Sequence, residues 1–187
     1  MRKLEIGPGR KRIDGFETVN VIKTPVTDHV ADARALLFAD DGTYDLIYAS
    51  HVIEHIPWYE TIDALKEWLR VLKPGGALEV WTVDAYKVAK ALVDYEDEGL
   101  WHKKDNWTRH GVDTDPYLWC AGRIFAYAGK DGEDSVNWHR ALFTRRHLMN
   151  CFLNAGFESV RALNPQEIRG ADHGWVNLGV RGLKRAG

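Results

Sequence analysis

Short apolar runs separated by connections too brief to hold a helix constrain this chain more than any other feature. Leu4-Glu5-Ile6, Glu17 to Val21 and His29-Val30-Ala31 each read as a strand. Only about eleven residues separate the first from the second and about seven the second from the third, where a helical crossover between parallel strands takes a dozen or more. Tyr44 to Ala49 reads as a fourth strand. From about Tyr59 to Leu72 the period changes. Ile62, Leu65, Leu69 and Leu72 recur at helical spacing, Asp63, Lys66, Glu67 and Arg70 take the other face, and Pro74-Gly75-Gly76 is a stop. Ala77 to Val83 is then a fifth strand, and Ala85 to about Tyr95 and Thr144 to Ala155 are helices, the latter ended by Gly156. Phe157 to Ala162 with Trp175 to Leu183 forms a final antiparallel pair. The alternation predicts an α/β chain with a mostly parallel sheet, a C-terminal antiparallel strand pair and reduced helices on one face. Because a parallel sheet tolerates little exposure, that face needs another cover. The candidates are the segment from Tyr95 to His139 or a second subunit, so a homodimer is expected.

With 187 residues, 45% of them hydrophobic, the chain holds one domain with a substantial core. A formal net charge of -2 draws it neither to nucleic acid nor to an anionic membrane. No apolar run approaches the roughly 20 residues of a membrane span. Met-Arg-Lys leads straight into a strand without the apolar stretch of a signal peptide, so a cytoplasmic location is expected. Cys120 and Cys151 show no CxxC spacing and read as reduced residues; no metal site follows from them.

Leu4-Glu5-Ile6-Gly7-Pro8-Gly9 sits at the carboxyl end of the first strand, where an open α/β sheet exposes backbone to a ligand and glycines permit close approach. Alone it reads equally well as a tight turn. A full GxGxxG is absent, since Arg10, Lys11 and Arg12 follow Gly9. Downstream, Tyr44-Asp45-Leu46-Ile47-Tyr48-Ala49-Ser50-His51-Val52-Ile53-Glu54-His55 is followed by Glu67-Trp68-Leu69-Arg70-Val71-Leu72-Lys73-Pro74-Gly75-Gly76. In this order and spacing the chain resembles the class I S-adenosylmethionine-dependent methyltransferases, especially a compact bacterial branch associated with sugar and cell-surface polysaccharide gene clusters. The resemblance is close over residues 3–84. It is weaker over His139-Arg140-Ala141-Leu142-Phe143-Thr144 and Leu153-Asn154-Ala155-Gly156-Phe157.

The resemblance implies a Rossmann-like fold, one domain over residues 1–187 with 95–139 as a substrate or lid-like insert, and S-adenosylmethionine as cofactor. Glu5, Gly7 and Gly9 would lie along its methionine and ribose, Asp32 and Ala33 at the adenine edge, and Ser50 and His51 at the closing end. The family's acidic residue after the second strand, which accepts from both ribose hydroxyls, is here Asn20; a neutral amide makes weaker contacts. Glu17 is the alternative for that role.

Methyl transfer is an in-line displacement for which a protein aligns the acceptor and excludes water. A hydroxyl acceptor also needs a base, and histidine is suited to that near neutrality. In the matching family the segment of His139 returns over the pocket, which makes His139 the first candidate; Asp84, just after the fifth strand, is the second. Glu54-His55 reads as a structural pair supporting the pocket. Tyr95, Trp101, Trp107, Tyr117, Trp119, Phe125, Tyr127 and Trp138 suit a carbohydrate, or simply cover the bare sheet face. His102, His110, Asp113 and Asp115 lack a specific metal spacing and read as solvated loop residues. The function expected is O-methylation of a sugar or other small polar hydroxyl compound. Without an Asn-Pro-Pro-Tyr string, methylation of nucleic-acid bases is disfavoured. The alternatives are a carboxylate, nitrogen or carbon acceptor, or a non-catalytic cofactor-binding partner subunit, for which Asn20 and the reduced helices speak.

Overall fold

The computed structural model describes residues 1–101, 115–125 and 135–187. Among them, strands β1 (Lys3–Ile6), β2 (Glu17–Asn20), β3 (His29–Val30), β4 (Tyr44–Ser50), β5 (Leu72–Val83), β6 (Glu158–Ala162) and β7 (Asn177–Leu183) form one sheet in the order β3-β2-β1-β4-β5-β7-β6. The first five run parallel, and β7 enters antiparallel between β5 and β6. This is the Rossmann-like arrangement expected, closing antiparallel pair included. Helices α1 (Thr61–Val71), α2 (Ala85–Glu98), α3 (Pro116–Phe125) and α4 (Arg145–Ala155) complete the described elements. No helix among the described residues is long and apolar enough to cross a membrane.

The helix expected to stop at Pro74 ends earlier, at Val71, and β5 begins at once. The cause is tertiary. Gly42 and Thr43 donate to the carbonyls of Arg70 and Val71, at 3.0 and 2.8 Å, and Leu72 pairs with Tyr44 before the register shifts to Leu46 against Ala77. The buried stripe of α1 is also displaced from the expected one. Ala64, Leu65, Trp68 and Val71 point inward, while Ile62 and Leu69 flank them.

Alternation along the strands sends Leu4, Ile6, Ile47, Ala49, Leu78 and Val80 to the face covered by α1 and α4. The opposite face presents Leu46, Tyr48, Ala77 and Trp81, and its crossovers are indeed too short for helices. Phe16 and Leu163, flanked by Ile13 and Ile168, bury it within the single chain. Glu79 adds a polar clamp on this face. Only 2% exposed, it accepts from Arg169 Nε at 2.6 Å and Nη2 at 3.0 Å, and from Arg181 Nη1 at 2.6 Å. A buried carboxylate is costly unless paired and hydrogen-bonded, and two guanidiniums meet that need. Cover therefore comes from residues 13–16 and 163–170. Of the insert, the described Trp101 and Trp119 pack with Trp175 against Val83, Val88 and Val176, at the carboxyl end of β5. Trp107 and Tyr127 lie outside the described residues.

Candidate functional site

The strands β1, β2 and β4 end together, and the turn after β1 leaves them open to a ligand. Gly7 and Gly9 adopt φ of +70° and +60°, a region costly for other residues. A side chain on Gly7 would collide with Val52 Cγ2, whereas at Gly9 it would meet nothing within 4 Å, so bare backbone faces the cavity there. Glu5 is buried and accepts from the Ile13 amide at 2.8 Å, closing the turn. Burial pushes its carboxyl above the ordinary range, with Ile13 and Arg12 opposing.

Two cavities meet at Gly7, Gly9, Arg10 and His51. The first, about 640 Å³, is walled by Asn20, Asp32 and Ala33, with Val21 and Ile22 as an apolar lip. The second, about 790 Å³, is walled by Glu5, Tyr48, Ser50, Arg169, Gly170 and His173. All eight residues expected along the cofactor thus line one cavity or both. An apolar lip beside amide and carboxylate groups, joined over bare glycine backbone to a cavity holding Glu5, fits an adenosine with an amino-acid tail.

Asn20, expected at the ribose, ends β2 and lines the first cavity. Its Oδ1 already accepts from the Val21 amide at 2.8 Å. Glu17, at the opposite end of β2, is taken by Arg2, Tyr44 and His29 and lines neither cavity. The Asp32 carboxylate receives Arg34 Nε at 3.0 Å and Nη2 at 2.7 Å, and Arg34 holds its carboxyl below the ordinary range. Ala33 is anchored from beneath by Trp68 Nε1, which donates to its carbonyl at 2.7 Å.

Histidines gather beyond the tip of β4. His51, with φ of 55°, has Nδ1 3.0 Å from Glu54 Oε1 and Nε2 3.0 Å from Asn177 Oδ1. Asn177 Nδ2 donates to Asp172 Oδ1 at 2.7 Å, and the His173 ring lies 3.9 Å from that of His51. Glu54 is 2% exposed and neither carboxylate oxygen has an aligned hydrogen bond, so His51 contacts it by proximity alone. Burial alone would raise the Glu54 carboxyl; His51, then His55 and His139, hold it down at about 2. His55 Nδ1 lies 3.3 Å from the Trp138 carbonyl, and the His55 and His139 rings meet edge to face at 4.9 Å. Burial lowers the His139 imidazole, which is on the wall of neither cavity. Asp84 caps α2, accepting from the Tyr86 amide at 3.1 Å, and also lines neither. Asp115 starts α3 by accepting from Leu118 at 3.1 Å, while His102, His110 and Asp113 lie outside the described residues. The sequence reading missed Asp172, His173 and Asn177. The polar run Arg169-Gly170-Ala171-Asp172-His173 before the last strand was the available signal.

The family profile described as a methyltransferase domain matches residues 3–162. No curated protein matches the chain by sequence. Among solved structures, an S-adenosylmethionine-dependent methyltransferase of Methanosarcina mazei is similar, with TM-score 0.57, 15% identity, and coverage of 100% of this chain and 93% of that one. A methyltransferase of Thermotoga maritima, a possible histamine N-methyltransferase, gives 0.53 and 18% over 98% and 82% of the two chains. The CurJ carbon methyltransferase gives 0.55 and 14% over 100% and 49%. At these identities the likeness is one of fold, and the named acceptors differ.

Proposed function

The chain belongs to the methyltransferase domain family, and from that premise we propose that it methylates a hydroxyl of a sugar or other small polar compound. S-adenosylmethionine is the cofactor and supplies an activated methyl group on a sulfonium. The observation that carries the hydroxyl reading is the set of imidazoles, His51, His55, His139 and His173, around the buried Glu54 beside the cofactor cavities. A hydroxyl must lose its proton as it is methylated, and imidazole is the side chain suited to take it near neutral pH. Support for a sugar comes from the resemblance to the polysaccharide-linked bacterial branch.

Calorimetric titration with S-adenosylhomocysteine, with NAD as control, tests the cofactor half; binding near -8 kcal/mol, a micromolar Kd, is expected for the first and none for NAD. A screen of neutral and acidic monosaccharides and their phosphates, read by release of S-adenosylhomocysteine, tests the acceptor half. Turnover with an amine or thiol and with no hydroxyl compound would overturn it.

A further inference from the structure

Besides the cofactor positions Glu5, Gly7, Gly9, Ser50 and His51, the second cavity is walled by Tyr48, Arg169, Gly170 and His173. Among the histidines their surroundings assign different roles. Both ring nitrogens of His51 face oxygens, Glu54 Oε1 and Asn177 Oδ1, so neither nitrogen is left for a ligand. His55 is on the first cavity, the one with Asn20 and Asp32, and its Nδ1 is tied to Trp138. His139 reaches neither wall. His173 differs from all three. Its ring lines the second cavity, rests on His51 at the junction of the two, and has no hydrogen-bond partner for either nitrogen among the described residues.

Resting on the O-methylation reading, we propose that the acceptor occupies the part of this cavity walled by Tyr48, Arg169, Gly170 and His173, beside the cofactor's tail, and that His173 is the base that takes its hydroxyl proton. The proton passes from the acceptor oxygen to a free ring nitrogen of His173 as the O–C bond forms and the donor's S–C bond breaks. The products are a methyl ether, neutral S-adenosylhomocysteine and protonated His173, which then returns its proton to solvent. The groups around His173 keep its ring unprotonated at rest. Burial lowers the ring to about 4, His51 and Arg123 act in the same direction, and Glu54 and Asp172 oppose them. Glu54 and Asn177 act through His51 as positioning residues, because they lock the ring on which His173 stacks. That lock also holds His51 at a φ of 55°, a strained conformation of the kind that persists where surrounding contacts over-determine it.

The test uses the full chain and the hydroxyl acceptor found by the screen. His173→Ala should lower kcat by about 100-fold, leave the affinity for S-adenosylhomocysteine within twofold and, at pH 8, keep the melting temperature. Added imidazole should restore part of the turnover. His173→Gln should fail likewise and not respond to imidazole. Unchanged kcat in both variants overturns the proposal, as does a loss of S-adenosylhomocysteine affinity that accounts for the whole effect. If the wild-type chain methylates no hydroxyl compound, the O-methylation reading fails with it; if wild type and variants turn over alike, only the role of His173 falls.

Discussion

His51 and Glu54 stand three residues apart, and the turn Ile53–His55 brings His51 Nδ1 to 3.0 Å from Glu54 Oε1. The pair anchors the histidines beside the cofactor cavities, and its electrostatics have a consequence for stability. Glu54 is held at about 2, below its ordinary 4.5, so protonation favours the unfolded chain. Its contribution is full above about pH 4.5 and is lost as pH falls towards 2. His173, held at about 4 against an ordinary 6.5, acts in the same direction at higher pH, because the unfolded chain takes that proton first. The melting temperature of the wild-type chain should fall on acidification from pH 6.5 to 4 and again below 4.5. His173→Gln should flatten the upper window and Glu54→Gln the lower one. Parallel profiles for all three proteins would contradict the assignment.

In the proposed cofactor site Asn20 would meet the ribose with a neutral amide whose Oδ1 already accepts from the Val21 amide. A carboxylate would keep that contact and add a second, charged acceptor. Asn20→Asp should tighten S-adenosylhomocysteine by roughly tenfold, about 1.4 kcal/mol. Calorimetry showing equal or weaker binding would mean that this side chain does not face the ribose.

Gly7 and Gly9 share a backbone conformation but not surroundings. Gly9→Ala should cost about 1 kcal/mol of stability, the backbone strain alone, and weaken S-adenosylhomocysteine because its methyl enters the cavity. Gly7→Ala should cost clearly more, and weaken S-adenosylhomocysteine too, because its new methyl meets Val52. Adding Val52→Ala should recover part of that loss and nothing for Gly9→Ala; denaturant melts and calorimetry on the four proteins decide.

Glu79 ties the residue 163–170 cover to the sheet through Arg169 and Arg181. Its removal leaves two guanidiniums unpaired, though each keeps part of its contact with solvent. Glu79→Ala should cost roughly 2 kcal/mol, less than a fully buried pair. It should also speed hydrogen exchange at the Gly170 amide, which donates to Tyr48 Oη at 3.3 Å. Unchanged exchange there would show that the wall holding His173 is fixed by other contacts.

Local pattern carried most of the fold. Period-two runs located β1 to β4, and Thr144 and Gly156 bracket α4 as a cap pair does, with Thr144 accepting from His147. The end of α1 was not legible, because the turn residues Gly42 and Thr43 take its last carbonyls and Pro74 never acts as the stop. Nor was the inward stripe of α1, where the large Trp68 is drawn to the Ala33 carbonyl.

By itself the sequence determined the alternation of strands and helices, the open glycine turn at Gly7-Pro8-Gly9 and the absence of crossover helices on one face. These depend on spacing and on residue-level backbone freedom, which neighbours in the chain settle. Only the tertiary structure decided what covers that face and which histidines reach a cavity. Glu79 meets Arg169 and Arg181, and His51 meets Asn177 and His173, across 90 to more than 120 positions of chain. Such contacts follow from strand order, since inserting β7 between β5 and β6 carries Asn177 to the end of the sheet where His51 waits. No local period encodes that order.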